Sequence, residues 1–292
     1  MSDTTTNLRR KIDSAKDLQS VVRTMRALAA SSIGQYQKSV LALADYSRTV
    51  DLGLSVCLRQ LRSDNSAVKE NDPAPIRART AIVFGSDQGL VGQFNDIVAE
   101  NANHALKALQ SKSQVWAVGE RVHARLTDLG LMPTALFPVP SSVSAITSLV
   151  SQLLLKIENP GEGAGLILFY NRASTGALYA PTQQRLLPLD ETWQQQLVKT
   201  PWPSGALPEI IGATTLQPLV REYLFISLFR GCAESLASEN ASRLAAMQRA
   251  DKNIGDLLED LTGTFNRLRQ DRIDEELFDV VAGFEISGAQ EK

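Results

Sequence analysis

The 292-residue chain has few of the residues that usually mark a reaction centre. It contains two histidines, His104 and His123, and two cysteines, Cys57 and Cys232. Neither type recurs at a metal-ligand spacing and the cysteines form no CxxC pair, so we predict surface or packing histidines and buried, reduced thiols. Since no other nucleophile or distinctive carboxylate pair stands out, an enzymatic function is disfavoured.

The chain also lacks an excess of charge of either sign and a long apolar run. Its 30 Lys and Arg against 32 Asp and Glu give a net charge of −2, which provides no global attraction to nucleic acid. No stretch approaches the roughly 18 consecutive apolar residues of a membrane helix, and the start MSDTTTNLRR lacks a signal peptide's apolar core. We therefore predict a cytosolic protein with no nucleic-acid partner, no cofactor and no direct membrane insertion.

Proline is absent from both ends of the chain, before Pro73 and after Pro218. In these two regions apolar residues recur at steps of three and four, which is the period of a helix. At ~1.5 Å per residue, a helix from about residue 5 to residue 61 would be on the order of 85 Å long, too long for one compact domain to surround. Each helix can bury its apolar stripe against the other, so we predict an antiparallel or crossing coiled coil; another chain is the alternative partner.

Charge gives a modest indication that the two ends pair. Residues 1–62 carry ten Lys and Arg against five Asp, a net of +5, and residues 221–292 carry nine Lys and Arg against fourteen Asp and Glu, a net of −5. Because exposed pairs contribute only ~0–1 kcal/mol, these charges indicate orientation, not stability, and they are also consistent with solvated faces.

From Thr80 onward the sequence alternates short apolar strands with helical stretches, the pattern of an α/β domain. The predicted strands are 80–84, 114–118, 165–170 and 177–187, and the predicted helices are 94–110, 120–129 and 143–157. The predicted fold is α/β with long helices: an antiparallel coiled coil of the N- and C-terminal helices plus an inserted Rossmann-like α/β domain. Its predicted segments are the N-terminal helix 1–62, a linker 63–79, the α/β domain 80–190, a linker 191–215, the C-terminal helix 216–286 and a tail 287–292.

The stretch FGSDQGLVGQFN, residues 84–95, follows the first predicted strand, where many proteins bind a phosphate. Its glycine spacing fits neither a P-loop, nor a dinucleotide fingerprint, nor a nucleophile elbow. No Lys or Arg lies between Arg79 and Lys107 to neutralise a phosphate. We therefore predict a structural strand-to-helix turn in which Asp87 or Ser86 caps a helix and the glycines permit tight geometry. The residues of this turn are Gly85, Ser86, Asp87, Gly89, Leu90 and Gly92.

Motifs in all three regions resemble the γ subunit of F-type ATP synthases. They are LRRKIDSAKDLQSVVRTMRALAASS at the start, GSDQGLVGQFN and TQQRLLPL in the middle, and SLASENASRLAAMQRADKNIGDLLEDLTGTFNRLRQDRIDEELFDVVAG at the end. The resemblance implies a non-catalytic central rotor shaft, with paired helices inside a ring of three α and three β subunits and an α/β foot near the membrane rotor. The implied partners are the α and β subunits of F1, the ε subunit and the c-ring of Fo. The implied location is peripheral, at the cytoplasmic face of a bacterial inner membrane.

The resemblance also implies contact residues for the β subunit. Arg9 to Ile12 match a basic N-terminal turn, Met25 to Ser31 match a segment near an acidic lever of the β subunit, and Arg269 with Gln270 match a pair that meets a β-subunit loop. Arginine suits a moving contact with carboxylates because its fork donates several hydrogen bonds at once. A solvated helix face is the alternative for all of them. The implied contacts are Arg9, Arg10, Lys11, Ile12, Met25, Arg269, Gln270 and Asp274.

The chain departs from the family pattern at several points. Asp274 stands where the family has threonine, Gln88 and Val91 replace the common Arg and Cys, and the tail FEISGAQEK runs past the usual end. These departures indicate a divergent lineage, such as an alternative bacterial F-type ATPase. On the residues alone, a structural coiled-coil adaptor with an α/β head domain and an α/β enzyme dimerised by helical arms stay open.

Overall fold

The computed structural model describes residues 2–64, 78–109, 113–157, 164–175, 177–199 and 212–289. The chain divides into two compact units, one made of Met1–Leu28 with Leu244–Lys292 and the other of Ala29–Arg243. In chain order the elements are α1 Ser2–Ala42, α2 Ala44–Asp64, β1 Ala78–Phe84, α3 Phe94–Ala108, β2 Ser113–Val118, α4 Glu120–Asp128, β3 Ala135–Phe137, α5 Val143–Ile157, β4 Ala164–Arg172, β5 Ala180–Leu187, α6 Glu191–Lys199 and α7 Gly212–Ala289.

The terminal unit consists of the start of α1 and the later part of α7. Ile12, Ala15 and Met247 are its buried apolar residues. Arg23 and Arg26 both contact Asp251, and the Gln19 amide lies 4.0 Å from the position of a β-carbon built on Gly255. Because earlier residues of α1 meet later residues of α7, the two helices are antiparallel, as predicted.

The larger unit contains a five-stranded sheet of order β3-β2-β1-β4-β5. Strands β1 to β4 are parallel, and β5 pairs antiparallel with β4 at one edge. Residues 81–84 of β1, 115–118 of β2 and 166–170 of β4 are all apolar and buried, which is the pattern of strands covered on both faces of a sheet. Helices α3 and α4 cover one face, whereas α5 and α7 cover the other together with Tyr36 of α1. The predicted Rossmann-like α/β domain is confirmed.

Within this unit α7 packs closely on the sheet and on α2. A β-carbon on Gly231 would lie 2.5 Å from Leu168 Cδ2, so glycine allows α7 to approach β4 more closely than any side chain would. Gly53 of α2 plays a similar part, since a β-carbon there would lie 3.1 Å from both Leu219 methyl groups. Val50 and Leu54 pack with Ile226. Since Tyr36 packs with residues around Cys232 while Gly53 meets Leu219, the helices run antiparallel here too.

The predicted single N-terminal helix is two helices, separated at Leu43. The Leu43 N–H bonds to the Val40 carbonyl three residues back at 3.3 Å, and the Ser47 N–H bonds to the Leu43 carbonyl at 2.8 Å. The tighter turn interrupts the α-helical ladder although no proline or glycine is present. At the other end of the chain, α7 begins at Gly212 and ends at Ala289, so it exceeds the predicted 216–286 on both sides.

The predicted linker 191–215 was wrong for its first part, which forms α6. Asp190 caps this helix by accepting hydrogen bonds from the backbone N–H and hydroxyl of Thr192 at 3.0 and 2.7 Å. Trp193 and Leu197, four residues apart, pack in a cluster with Val50 and Leu54 of α2. The short strand β3 was not predicted, and β5 starts at Ala180, later than the predicted 177. Residues 65–77, 200–211 and 290–292, the rest of the predicted linkers and tail, lie outside the described residues.

Candidate functional site

The loop between β1 and α3 holds the predicted turn residues. The Gly85 N–H donates to the Val118 carbonyl at 2.9 Å, and the Ser86 N–H donates to Asn95 Oδ1 at 2.9 Å. The Asn95 amide donates in return to Ser86 Oγ at 2.8 Å, and Ser86 Oγ donates to the Gln88 carbonyl at 2.9 Å. The first two backbone N–H groups after β1 are therefore bound inside the protein, and a phosphate would have to displace these bonds.

Asp87 connects this loop to two other segments. Its Oδ1 accepts a hydrogen bond from the N–H of Glu120, the first residue of α4, and its Oδ2 accepts one from the N–H of Val139, both at 2.9 Å. A carboxylate at a helix N-terminus is favoured because the unpaired N–H groups carry partial positive charge. The prediction that Asp87 or Ser86 caps a helix did not say which helix, and the helix that Asp87 caps is α4. The N-cap residue of α3, Gln93, makes no side-chain cap hydrogen bond.

Two glycines allow the segments around this loop to come together. A β-carbon on Gly85 would collide with Val122 of α4 and with Asn95. Gly119, just before α4, has φ +118°, and a β-carbon there would lie 2.7 Å from the Ser86 carbonyl oxygen. Leu90 and Gly92 have φ of 62° and 57°, and Gly89 faces open space. The predicted turn residues thus belong to one loop, with Leu90 60% exposed at its surface.

The far end of the loop rests on α7. Ser242 Oγ donates to the Val91 carbonyl at 2.5 Å. One turn earlier, the buried Glu239 carboxylate accepts a hydrogen bond from Arg243 at 2.6 Å. Burial raises the pKa of Glu239 and the nearby Asp87 charge adds to this, while Arg243 acts in the opposite direction. A buried ionic pair therefore lies where the loop meets α7.

The implied partner contacts lie on the helices of the terminal unit. Arg9, Arg10 and Lys11 are exposed within one turn of α1, and Met25 is half-buried further along it. Arg269, Gln270 and Asp274 are all exposed on α7. Ile12 differs from these, because it is only 8% exposed. It therefore belongs to the packed face of the helix pair and not to the free surface.

Three charged residues of the same unit form a cluster that was not predicted from the sequence. Arg23 Nε lies 3.1 Å from Asp251 Oδ1, and Arg26 Nη1 lies 2.8 Å from Asp251 Oδ2. The two arginines are three residues apart on α1, and this spacing places them on one face. Their partner on α7 could be found only once the register of the helix pair was known.

Large apolar side chains remain exposed on both helices of this unit. On α1 they are Leu18, Val21 and Leu28, which are 56–64% exposed. On α7 every residue from 271 to 281 is exposed. The large apolar residues in this stretch are Ile273, Leu277, Phe278, Val280 and Val281, with exposures of 49–72%. Exposed apolar surface of this extent is typical of a protein that binds other subunits.

The remaining candidate residues belong to the larger unit. His104 and His123 lie on α3 and α4, and Cys57 and Cys232 are buried free thiols whose pKa values are raised by burial. Among the described residues, no three His, Cys, Asp or Glu side chains are grouped to bind a metal ion. In the same part of the chain, no helix has the length and hydropathy of a membrane span.

The exposed apolar faces on the antiparallel terminal helices are typical of a subunit of a larger assembly. Residues 4–286 match the family model described as ATP synthase. The chain belongs to the γ-subunit family of F-type ATP synthases.

Individual relatives are distant but match along nearly the whole chain. The ATP synthase gamma chain of Desulforudis audaxviator is 27% identical over 296 residues, covering 95% of this chain and 97% of the relative. That of Chelativorans sp. is 24% identical over 306 residues, covering 96% and 98%.

Solved rotor structures share the fold. A structure of the Euglena gracilis mitochondrial ATP synthase rotor in rotational state 1 matches with a TM-score of 0.64 at 16% identity, covering 94% of this chain and 100% of that one. The central stalk and c-ring structure of the Tetrahymena thermophila mitochondrial ATP synthase matches with a TM-score of 0.55 at 20% identity, covering 79% of this chain and 99% of that one.

Proposed function

We propose that this chain is the central-stalk rotor of a bacterial F-type ATP synthase or ATPase and transmits torque between the ion-driven membrane ring and the catalytic α/β hexamer. The observation that carries this proposal is the antiparallel helix pair of the terminal unit, which leaves apolar side chains exposed on both helices. A subunit enclosed by a ring of partners needs such surfaces on more than one side.

Torque transmission requires that the surface of the rotor differ from side to side. In the terminal unit, α1 exposes the basic residues Arg9, Arg10 and Lys11. Helix α7 exposes residues 269–274, which include both acidic and basic side chains. As the rotor turns, each catalytic subunit would meet a different face. Rotation then shifts the relative free energies of the open and closed conformations of each catalytic subunit, which is coupling by differential binding.

Specific contacts follow from this assignment. We assign Arg9, Arg10 and Lys11 to acidic groups of the ring because guanidinium and ammonium groups on an exposed turn attract carboxylates. Arg269 and Gln270 would meet a second region of the β subunit, with Asp274 one turn further along α7. Met25 would contact the acidic lever through its half-buried thioether side chain.

The partners would be the α and β subunits of F1, the ε subunit and the c-ring of Fo. Two features support a structural role for the inserted domain: the Gly85 and Ser86 N–H groups are engaged internally, and Asp87 joins the loop to α4 and Val139. The chain itself would catalyse no reaction. Its location would be peripheral, on the cytoplasmic face of the bacterial inner membrane.

Reconstitution tests the proposal directly. We expect no ATP hydrolysis by the purified chain, and strong stimulation when it is added to the α and β subunits from the same source. Arg269→Gln should lower the ATPase rate of the assembled complex by about 10-fold, in the range of a typical coupling free energy. Arg267→Gln, which removes an exposed arginine two residues away, is the matched control and should have little effect.

Two other outcomes would support the alternatives. An adaptor would bind the ring without changing its rate of turnover. Nucleotide hydrolysis by the isolated chain would instead support an α/β enzyme, and either result would exclude a rotor.

A further inference from the structure

We infer that Asp251 is a positioning residue that holds Arg23 and Arg26 as a fixed pair of guanidinium donors for a carboxylate-bearing segment of a partner subunit. The inference rests on the proposed function, because it requires a partner that meets α1. It adds three residues that are not among the implied contacts, although all three lie within the stretches that resemble the family. All three lie within the terminal unit, so one compact part of the chain contains the whole cluster.

The geometry is that of a bridging carboxylate. Each oxygen of Asp251 is occupied by a different arginine, Oδ1 by Arg23 Nε at 3.1 Å and Oδ2 by Arg26 Nη1 at 2.8 Å. One carboxylate therefore fixes two guanidinium groups that leave α1 one turn apart. The cluster carries two positive charges and one negative charge, so its net charge is positive.

Exposure differs sharply between the anion and the cations. The Asp251 side chain is 15% exposed, whereas those of Arg23 and Arg26 are 58% and 42% exposed. The negative charge is thus covered and the positive charges face solvent. Exposed ion pairs add little to stability, so stability alone does not account for two arginines on one carboxylate.

Both guanidinium groups retain donors for a second acceptor. Each has five N–H donors, and each uses one of them on Asp251. Within the described part of the chain, Asp251 is the hydrogen-bond acceptor that both side chains share, and neither bonds to another group. A free arginine samples many rotamers, and Asp251 restricts this freedom before the partner arrives. Prior ordering of this kind lowers the entropic cost of binding.

The proposed function indicates a protein segment as the ligand, because it places α1 inside a ring of protein subunits. The two exposed, positively charged guanidinium groups favour a segment that carries carboxylate side chains. The planar fork of arginine also matches the two oxygens of a carboxylate.

The test uses the complete complex assembled from this chain with its α and β subunits. Asp251→Asn keeps the size of the side chain but removes the charge that holds both arginines. Asp251→Glu retains that charge. Asp96→Asn is the matched control, since Asp96 pairs with Arg125 at 2.8 Å on the surface of the other unit.

We expect Asp251→Asn to lower kcat for ATP hydrolysis by about 3-fold to 10-fold with KM for ATP unchanged, because the cluster acts on coupling and not on nucleotide binding. The rate should also depend more steeply on salt, because the net charge of the cluster rises and exposed charges are screened by ions. Asp251→Glu should restore most of kcat, and Asp96→Asn should match the wild type. In the Arg23→Gln, Arg26→Gln double variant, adding Asp251→Asn should cause no further loss, since the residues act as a unit.

Several results would overturn the inference. Wild-type kcat and salt dependence in Asp251→Asn would exclude a positioning role. A full additional loss when Asp251→Asn is added to the double arginine variant would show that Asp251 acts independently of the arginines. If the wild-type chain itself fails to stimulate hydrolysis, the proposed function fails and this inference fails with it, whereas the first two results leave the rotor function intact.

Discussion

Replacing Asp87 gives a graded test of how the loop after β1 is built. Asp87 accepts two hydrogen bonds at 2.9 Å, from the N–H of Glu120 and the N–H of Val139. The Glu120 bond lies in an exposed position, where water can replace the lost acceptor, so we assign it the value of a typical helix cap, about 1 kcal/mol. The Val139 bond is part-buried, and a charged acceptor there contributes about 1.5–2 kcal/mol.

Asp87→Ala should therefore lower the free energy of unfolding by about 2–3 kcal/mol. Asp87→Asn keeps one acceptor oxygen but places an amide group against the second N–H, so about half of that loss is expected. The matched control is Asp128→Ala at the exposed C-terminal end of α4, where we expect a change within about 0.5 kcal/mol. The order of stability should be wild type, then Asn, then Ala.

Urea unfolding of the full chain, followed by tryptophan fluorescence, measures this order. Trp116 is 3% exposed between the sheet and α5, so its emission reports on the integrity of the domain. The dependence of the unfolding free energy on urea should stay constant across the series. A loss below 0.5 kcal/mol in Asp87→Ala, or equal losses in Ala and Asn, would refute the role given to the two hydrogen bonds.

Three further changes test other parts of the fold in the same assay. Gly119→Ala should destabilise the protein by more than about 2 kcal/mol, because Gly119 has a positive φ and a backbone carbonyl lies close to it. Gly34→Ala should stabilise the protein by up to about 1 kcal/mol, because Gly34 lies in α1 with open space around it. Equal effects of the two substitutions would contradict the structure. Gly231→Ala should cost about 1–3 kcal/mol through overpacking against β4, and a neutral result would show that α7 can move away. Because burial raises the pKa of Glu239 above its ordinary value of 4.5, the stability from this group is present at low pH and is lost as the pH rises through the folded-state pKa. Relative to wild type, Glu239→Gln should therefore gain stability as the pH rises above 4.5, and a constant difference would show that Arg243 offsets the effect of burial on the carboxylate.

Much of the fold follows from local patterns. The bounds predicted for α5 match those observed, and the starts of α3 and α4 agree, because apolar periodicity and turn residues are both strong there. The long helices were evident from the absence of proline and from steps of three and four. Their antiparallel pairing followed because two apolar stripes in one chain can bury each other.

The elements that were missed depend on distant parts of the chain. Helix α6 is only nine residues long. Its apolar residues Trp193 and Leu197 pack against residues of α2, so the helix depends on a contact with a distant part of the chain. Strand β3 has three residues and is held by its pairing with β2. A pattern of local sequence carries little information about either.

The candidate site, like the fold, was predicted where local patterns decide it and missed where distant contacts do. The loop residues were found from their glycines, but the helix that Asp87 caps lies 33 residues away, and no local rule selects α4 over α3. The partner of Arg23 and Arg26 lies more than 220 residues away on α7. The packing of Ile12 likewise depends on the register of the helix pair, which the family motif alone does not give.

Rotation of this chain within the assembled complex tests the central claim most directly. Cys57 and Cys232 are buried, so a cysteine introduced by Met132→Cys, at a side chain that is 71% exposed, offers one accessible thiol for attaching a visible probe. With the α/β ring fixed to a surface and ATP supplied, we predict that the probe turns in one direction with three pauses in each revolution. A stationary probe on a complex that hydrolyses ATP at its full rate would contradict the assignment of this chain as the rotor.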